Sequence, residues 1–195
     1  LITAARLGNI EITKLLLENG ANKEAHTKKG ITPLISAVRF NQIETTKLLI
    51  EHGASINVRN KLKRYPIHYA IITGNYNLVK LLIDNGADIS VKAERGLTPL
   101  HFAVQYNRAE IVNLLLENKA DIHSKCNLRG LFFTPLLIAR ITNKKTIIKM
   151  LKEHKDYNIF KSEIIPFIRT FLPLVIVFII GIIRIFNIFW SLEII

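Results

Sequence analysis

Side chains able to do acid–base, metal or nucleophile chemistry are sparse here: six histidines and one cysteine, Cys126, in 195 residues. His68 and His101 stand one 33-residue step apart in the similar strings YPIHYA and TPLHFA, so they mark a repeated position before they mark a reaction. His52 follows Glu51 and precedes a glycine, where a helix ends and its dipole favours an imidazole. His26, His123 and His154 have no spacing that converges on a metal ion. Cys126 follows Lys125, and a neighbouring cation favours the thiolate; a reactive thiol is one reading, an inert exposed loop residue the stronger one. A lone cysteine forms no intrachain disulfide and fits a reducing compartment. The strings GxxxxGK(S/T), GxSxG, HExxH and CxxC do not occur. The expectation is a non-enzyme with no catalytic, cofactor-binding or metal-ligating residue, no cofactor and no small-molecule substrate.

The elements that position these residues recur. At an offset of 33, Ala4, Ala37, Ala70 and Ala103 align, as do the pairs Leu15–Leu16, Leu48–Leu49, Leu81–Leu82 and Leu114–Leu115. Gly20–Ala21, Gly53–Ala54 and Gly86–Ala87 follow, with Lys119–Ala120 in the fourth place. Pro33, Pro66 and Pro99 keep the step, and Pro135 arrives three residues late. Thr32, Thr98 and Thr134 each precede a proline: a hydroxyl cap, then a residue whose missing N–H costs nothing in the first helical turn. Gly8, Asn41, Gly74, Asn107 and Asn143 share a column held by the two residues that tolerate a left-handed helix end. The strings IEITKLLLENG, IETTKLLIEHG, NLVKLLIDNG and AEIVNLLLENK repeat a second, amphipathic helix. The unit is therefore turn, short helix, tight turn, longer helix and loop.

This pattern resembles the ankyrin repeat family, whose TPLHxA signature stands here as TPLISA, YPIHYA, TPLHFA and TPLLIA. The resemblance implies an all-α solenoid of helix-turn-helix units joined by β-hairpin-like loops, over residues 1–156. The units fall at 1–27, 28–60, 61–93, 94–126 and 127–156. The first begins inside its first helix, so the chain reads as a fragment. The last is degenerate, with Met150–Leu151 in place of a leucine pair and Lys155–Asp156 near the usual Gly-Ala; terminal units are where such departures belong. In this family the histidine of the signature bonds within its repeat, which is the role expected of His68 and His101. The family also implies binding of a protein partner through the turn tips and the exposed side of the first helices. Those helices offer Arg6–Leu7, Arg39–Phe40, Ile72–Thr73 and Gln105–Tyr106 just before the Gly/Asn column; arginine and aromatics are favoured interface anchors. The alternative is that Leu7, Phe40 and Ile72 pack between repeats. The tips offer Lys28–Lys29, the run RNKLKR with Lys61, Lys63 and Arg64, Glu94–Arg95, and Leu128–Arg129.

Charge bears on the partner. The net charge of +12 lies almost wholly in residues 1–160, with 24 Lys/Arg against 13 Asp/Glu. The basic tips either steer an acidic partner or are a solvated, solubilising surface. Nucleic acid is the weaker reading, because the charges are spread over several tips and helices with no recognition helix or aromatic stacking platform.

Residues 157–170 read as a linker and 171–192 as a hydrophobic helix. From Phe171 to Leu192 a helix is about 33 Å long, enough to span a ~30 Å hydrocarbon core. Fourteen Leu, Ile, Val and Phe residues lie between 172 and 190, worth roughly −6 kcal/mol for insertion against about +3 for Arg184. Lys144, Lys145, Lys149, Lys152, Lys155 and Lys161 precede the segment, and 185–195 hold no lysine or arginine. Excess positive charge stays inside, so the repeats are expected on the cytoplasmic side of a single-span, tail-anchored protein. Arg184, Asn187 and Ser191 form a polar stripe that suits pairing with another helix. Two alternatives stay open: a soluble cap or dimerising helix on a cytoplasmic scaffold, and a gene-model artefact. The absence of a secretory leader and of Asn-x-Ser/Thr sites fits an intracellular setting.

Overall fold

A computed structural model describes residues 1–128 and 130–154. Leu1–Lys152 form one compact unit. The expected linker and hydrophobic helix lie outside the described residues. Among the described residues no helix is long and apolar enough to cross a membrane.

Five helix pairs follow one another: α1 (Ile2–Leu7) with α2 (Ile10–Glu18), α3 (Pro33–Arg39) with α4 (Ile43–Glu51), α5 (Pro66–Thr73) with α6 (Tyr76–Asp84), α7 (Pro99–Gln105) with α8 (Ala109–Glu117), and α9 (Pro135–Ile141) with α10 (Lys145–Glu153). The first helices stack in sequence, α1 on α3, α3 on α5, α5 on α7 and α7 on α9, and are called inner below; the second, outer helices pack behind them. This is the expected solenoid.

Local chemistry starts and stops each helix. The Thr32 hydroxyl accepts from the Ile35 N–H at 3.2 Å and that of Thr134 from Leu137 at 3.3 Å, and a proline opens α3, α5, α7 and α9. The five Gly/Asn column residues all turn left-handed, with φ between 52° at Asn143 and 79° at Gly74. Gly20, Gly53 and Gly86 do so after the outer helices, and Lys119 takes the same conformation at φ 65°.

Neighbouring pairs are held by burial and by a column of polar bridges. Ala37, Ala70, Ala103 and Ala139 have no exposed surface, which lets inner helices approach closely. Leu49, Leu82 and Leu115 are equally buried, each contributing about 2 kcal/mol of apolar burial. The residue after each left-handed turn reaches back to the preceding inner helix. Gln42 donates to the Arg6 carbonyl at 3.2 Å, Asn75 to the Asn41 side chain at 2.8 Å, and Arg108 to the Ile72 carbonyl at 3.2 Å. Lys144 donates to the carbonyls of Val104, at 2.6 Å, and Gln105. The Gln42, Arg108 and Lys144 contacts fall on carbonyls in the last turn of the preceding inner helix, where intrahelical donors run out.

The last unit departs from the others as expected, and its late proline has a physical cause. The extra residues form a hairpin of β1 (Cys126–Leu128) and β2 (Leu131–Phe133), paired antiparallel with Cys126 opposite Phe133. Hairpin-like loops thus become paired strands only here among the described residues; the other tips are tight turns. Cys126 is neither a loop residue nor exposed: it is fully buried in β1, and burial pushes its thiol above the ordinary range. Both sequence readings of this cysteine, reactive thiol and exposed loop residue, are corrected.

Candidate functional site: the inner helices and turn tips

Each tip is a built turn. Before α3, Thr27 closes its turn by backbone bonds with Ile31 and Gly30, and its hydroxyl accepts from the Ile31 N–H at 3.2 Å, leaving Lys28 and Lys29 exposed at the apex. Before α5, Asn60 is the keystone of the basic run. It is 6% exposed; its carboxamide oxygen accepts from the N–H groups of Leu62 and Arg64, both at 3.0 Å, while its amide donates to the Tyr69 hydroxyl at 2.7 Å. That scaffold drives Lys61 and Lys63 outward, and Arg64 stays half-buried. The Lys61 N–H donates to the Lys29 carbonyl at 3.2 Å, so the two tips are joined. Gly30 makes room for this: a Cβ there would lie 3.1 Å from Asn60 Cα and from Lys61 N. Before α7, a 3₁₀ turn, Glu94–Gly96, exposes Glu94 and Arg95, with Arg95 left-handed at φ 62°. Arg129, at the last tip, lies outside the described residues.

The inner helices carry the second set. Leu7 and Phe40 are 67% and 48% exposed and Tyr106 40%, with Arg6, Arg39 and Gln105 exposed beside them. Ile72 and Thr73 are half-buried, so at the middle pair the alternative of packing between repeats has more weight. The Arg6 and Arg39 guanidiniums both approach the Phe40 ring, at 6.0 and 5.7 Å, and Arg39 also lies 6.0 Å from the Tyr69 ring. Arg64 sits 5.7 Å from the Phe102 ring, which stacks on Tyr106 at 6.3 Å. Cation–π contact holds long arginines in place at a modest gain, about 0.5–1 kcal/mol each when exposed.

Read along the chain, the cations are spread over several tips and helices; the fold keeps that spread, with Lys14, Lys47, Lys80, Lys145, Lys149 and Lys152 on outer helices, and it is the acids that it sets apart from the inner helices. No inner helix holds an Asp or Glu, and the tips carry Lys28, Lys29, Arg59, Lys61, Lys63, Arg64, Lys92, Arg95 and Lys125 against Glu94, with Glu24, Asp88 and Asp121 in the loops that lead to them. Most of the described acids are on the outer helices, and so are the ion pairs found among the described residues: Lys14–Glu18, Lys47–Glu51 and Lys80–Asp84. Among the described residues, none of the inner-helix or tip cations has an acidic partner within ion-pair distance. Phe40 and Tyr106, both exposed, stand among or beside those cations.

The histidines are structural. His101 bridges two repeats: its Nδ1 accepts from the Thr98 N–H at 3.2 Å and its Nε2 donates to the Phe133 carbonyl at 3.1 Å. Burial lowers its pKa to about 4, against the raising effects of Phe133, Asp121 and Ser124 and with a small lowering by Lys92. His68 accepts from the Tyr65 N–H at 3.1 Å, and burial lowers its pKa to about 3. A depression near tip four brings Ser90, Asp121, His123 and Ser124 together. Its hydroxyls are engaged elsewhere, Ser90 donating to Asp88 at 2.7 Å and Ser124 to the Asp121 carbonyl at 2.8 Å. No group of three metal-ligating side chains forms among the described residues. What the arrangement offers chemically is anion binding beside exposed apolar anchors.

A family model described as ankyrin repeats (three copies) matches residues 1–60 and 53–126. No curated protein matches the chain. The family match covers well over half of the sequence and coincides with the helix pairs and turns described above, so the chain belongs to the ankyrin repeat family.

Proposed function

We propose that this protein is a non-enzymatic adaptor whose inner helices and turn tips bind an acidic protein. The observation that carries this reading is the sorting of charge among the described residues: cations without acidic partners on the inner helices and tips, no acid on any inner helix, and most acids on the outer helices. Ankyrin repeats generally serve as protein-interaction modules rather than enzymes, and a solenoid offers one long surface for the purpose. Each exposed ion pair with a partner adds little energy; the charges steer encounter and reject basic partners, while Phe40, Tyr106 and Leu7 supply burial. The test is photocrosslinking from defined positions of the full chain in cells. Probes at Phe40 and Lys61 should capture protein, and a probe at Lys47 on α4 should not. Equal capture from both faces sinks the proposal.

The same reading places the repeats on the cytoplasmic side of a membrane, held by residues 171–192. Its support is the apolar run of that segment and the lysines that precede it. Carbonate extraction of the chain with and without residues 164–195 tests it: the complete chain should stay in the pellet, and its release into the soluble fraction refutes the anchor.

A further inference from the structure

The tips are not equivalent along the stack. Two are joined, through the Lys61–Lys29 backbone bond, and present Lys28, Lys29, Lys61 and Lys63. Two repeats on, β1 packs beside the 3₁₀ turn of the preceding tip, and the hairpin presents Leu131 and Phe132 instead, 41% and 66% exposed. The β1–β2 hairpin is an insertion relative to the other units, and its exposed residues pack no core of their own. We infer that the row of tips binds one bipartite protein segment, with a run of Asp and Glu over Lys28–Lys63 and a large apolar side chain seated at Leu131 and Phe132. The inference rests on the adaptor reading above and adds that one partner segment carries both an acidic run and an apolar anchor. Charge complementarity fixes one end, since these cations lack acidic partners within the described residues. The other end is the hairpin, where two adjacent large apolar residues, Leu131 and Phe132, are exposed, and a large exposed aromatic is the kind of residue that anchors an interface.

The experiment uses the full chain in detergent micelles and fluorescein-labelled synthetic peptides. One carries eight acidic residues followed, after a short spacer, by Leu-Phe; a second reverses that order; a third replaces Leu-Phe by Ser-Ser. The better of the two bipartite peptides should bind about tenfold tighter than the Ser-Ser peptide, the gain expected for burying one large apolar side chain. Leu131→Ser with Phe132→Ser should abolish that advantage and leave the Ser-Ser peptide's affinity unchanged. Lys61→Gln with Lys63→Gln should weaken all three and flatten their salt dependence. All these positions are exposed, and an unchanged melting curve confirms that the variants fold. If both bipartite peptides bind no better than the Ser-Ser peptide, the inference is overturned; the adaptor reading still stands as long as crosslinks form from Phe40 and Lys61. Tighter binding of single-stranded oligonucleotide than of any peptide overturns it in favour of nucleic acid. A dimer of the chain lost on the Leu131/Phe132 change overturns it in favour of self-association.

Discussion

At the scale of single residues, His68 and His101 tie binding surface to stability without touching a partner. Each sits three residues into the first turn of an inner helix, and its ring nitrogen takes the N–H of the residue before the proline. Their folded pKa values, about 3 and about 4, lie below the 6.5 of a free imidazole, chiefly through burial, with Arg64 near His68 and Lys92 near His101 lowering them further. As pH falls through 6.5 the unfolded chain takes up protons that the folded chain refuses. Stability is therefore whole above that value and is lost progressively down to about 4 for His101 and about 3 for His68. Urea unfolding at pH 7.5 and 5.5 should differ by about 2–3 kcal/mol, and His68→Gln with His101→Gln should remove most of the difference. An unchanged midpoint between the two pH values would mean that both rings charge inside the fold. Cys126 gives the converse lesson: Lys125 beside it in sequence suggested an activated thiol, yet packing in β1 excludes solvent and raises the pKa instead.

At the scale of elements, the turns that end the helices decide how well each repeat is built, and one is built with the wrong residue. Gly20, Gly53 and Gly86 end α2, α4 and α6 in the left-handed region, while Lys119 ends α8 there at φ 65°. An L-residue other than Asn or Asp pays about 1 kcal/mol or more for that conformation. Lys119 is exposed and takes part in no ion pair with another described residue. Lys119→Gly should therefore raise stability by about 1 kcal/mol, read as a shift of the urea midpoint at constant slope; a midpoint that falls would show that Gly's extra freedom in the unfolded chain outweighs the relief. Caps, prolines and left-handed columns were legible because each is decided within about four residues of chain. The β1–β2 hairpin was not, since GLFFTP reads locally as a loop and becomes strand only by pairing with Cys126–Leu128. Nor was the column of Gln42, Asn75, Arg108 and Lys144. Its members are four different residue types that share only an N–H donor and the position after a left-handed turn, from which all four reach the preceding repeat.

At the scale of the whole molecule, the sorting of charge was hidden because inner and outer helices alternate every ten to twenty residues, and any running sum mixes the two. That Arg39, Phe40, Lys61 and Arg95 are exposed was legible from their column in the repeat; that no inner helix beside them carries an acid follows only from the stack. Stacking also sets how stability is distributed, because each repeat is supported mainly by its neighbours. The column of Ile12 makes this visible. Thr45, Leu78, Ile111 and Ile147 occupy it in the later outer helices and are at most 1% exposed, whereas Ile12 is 49% exposed and Leu15 beside it 60%. α2 therefore keeps the amphipathic sequence of its counterparts without their burial, a deficit of about 2 kcal/mol from these side chains. In the 195-residue chain, amide hydrogens of α2 should exchange roughly thirtyfold faster than those of α6, although their sequences and hydrogen-bond patterns match. Mass-spectrometric exchange resolved by peptide measures this, and equal protection in α2 and α6 would show that the stack opens as one cooperative block rather than from its less buried edge.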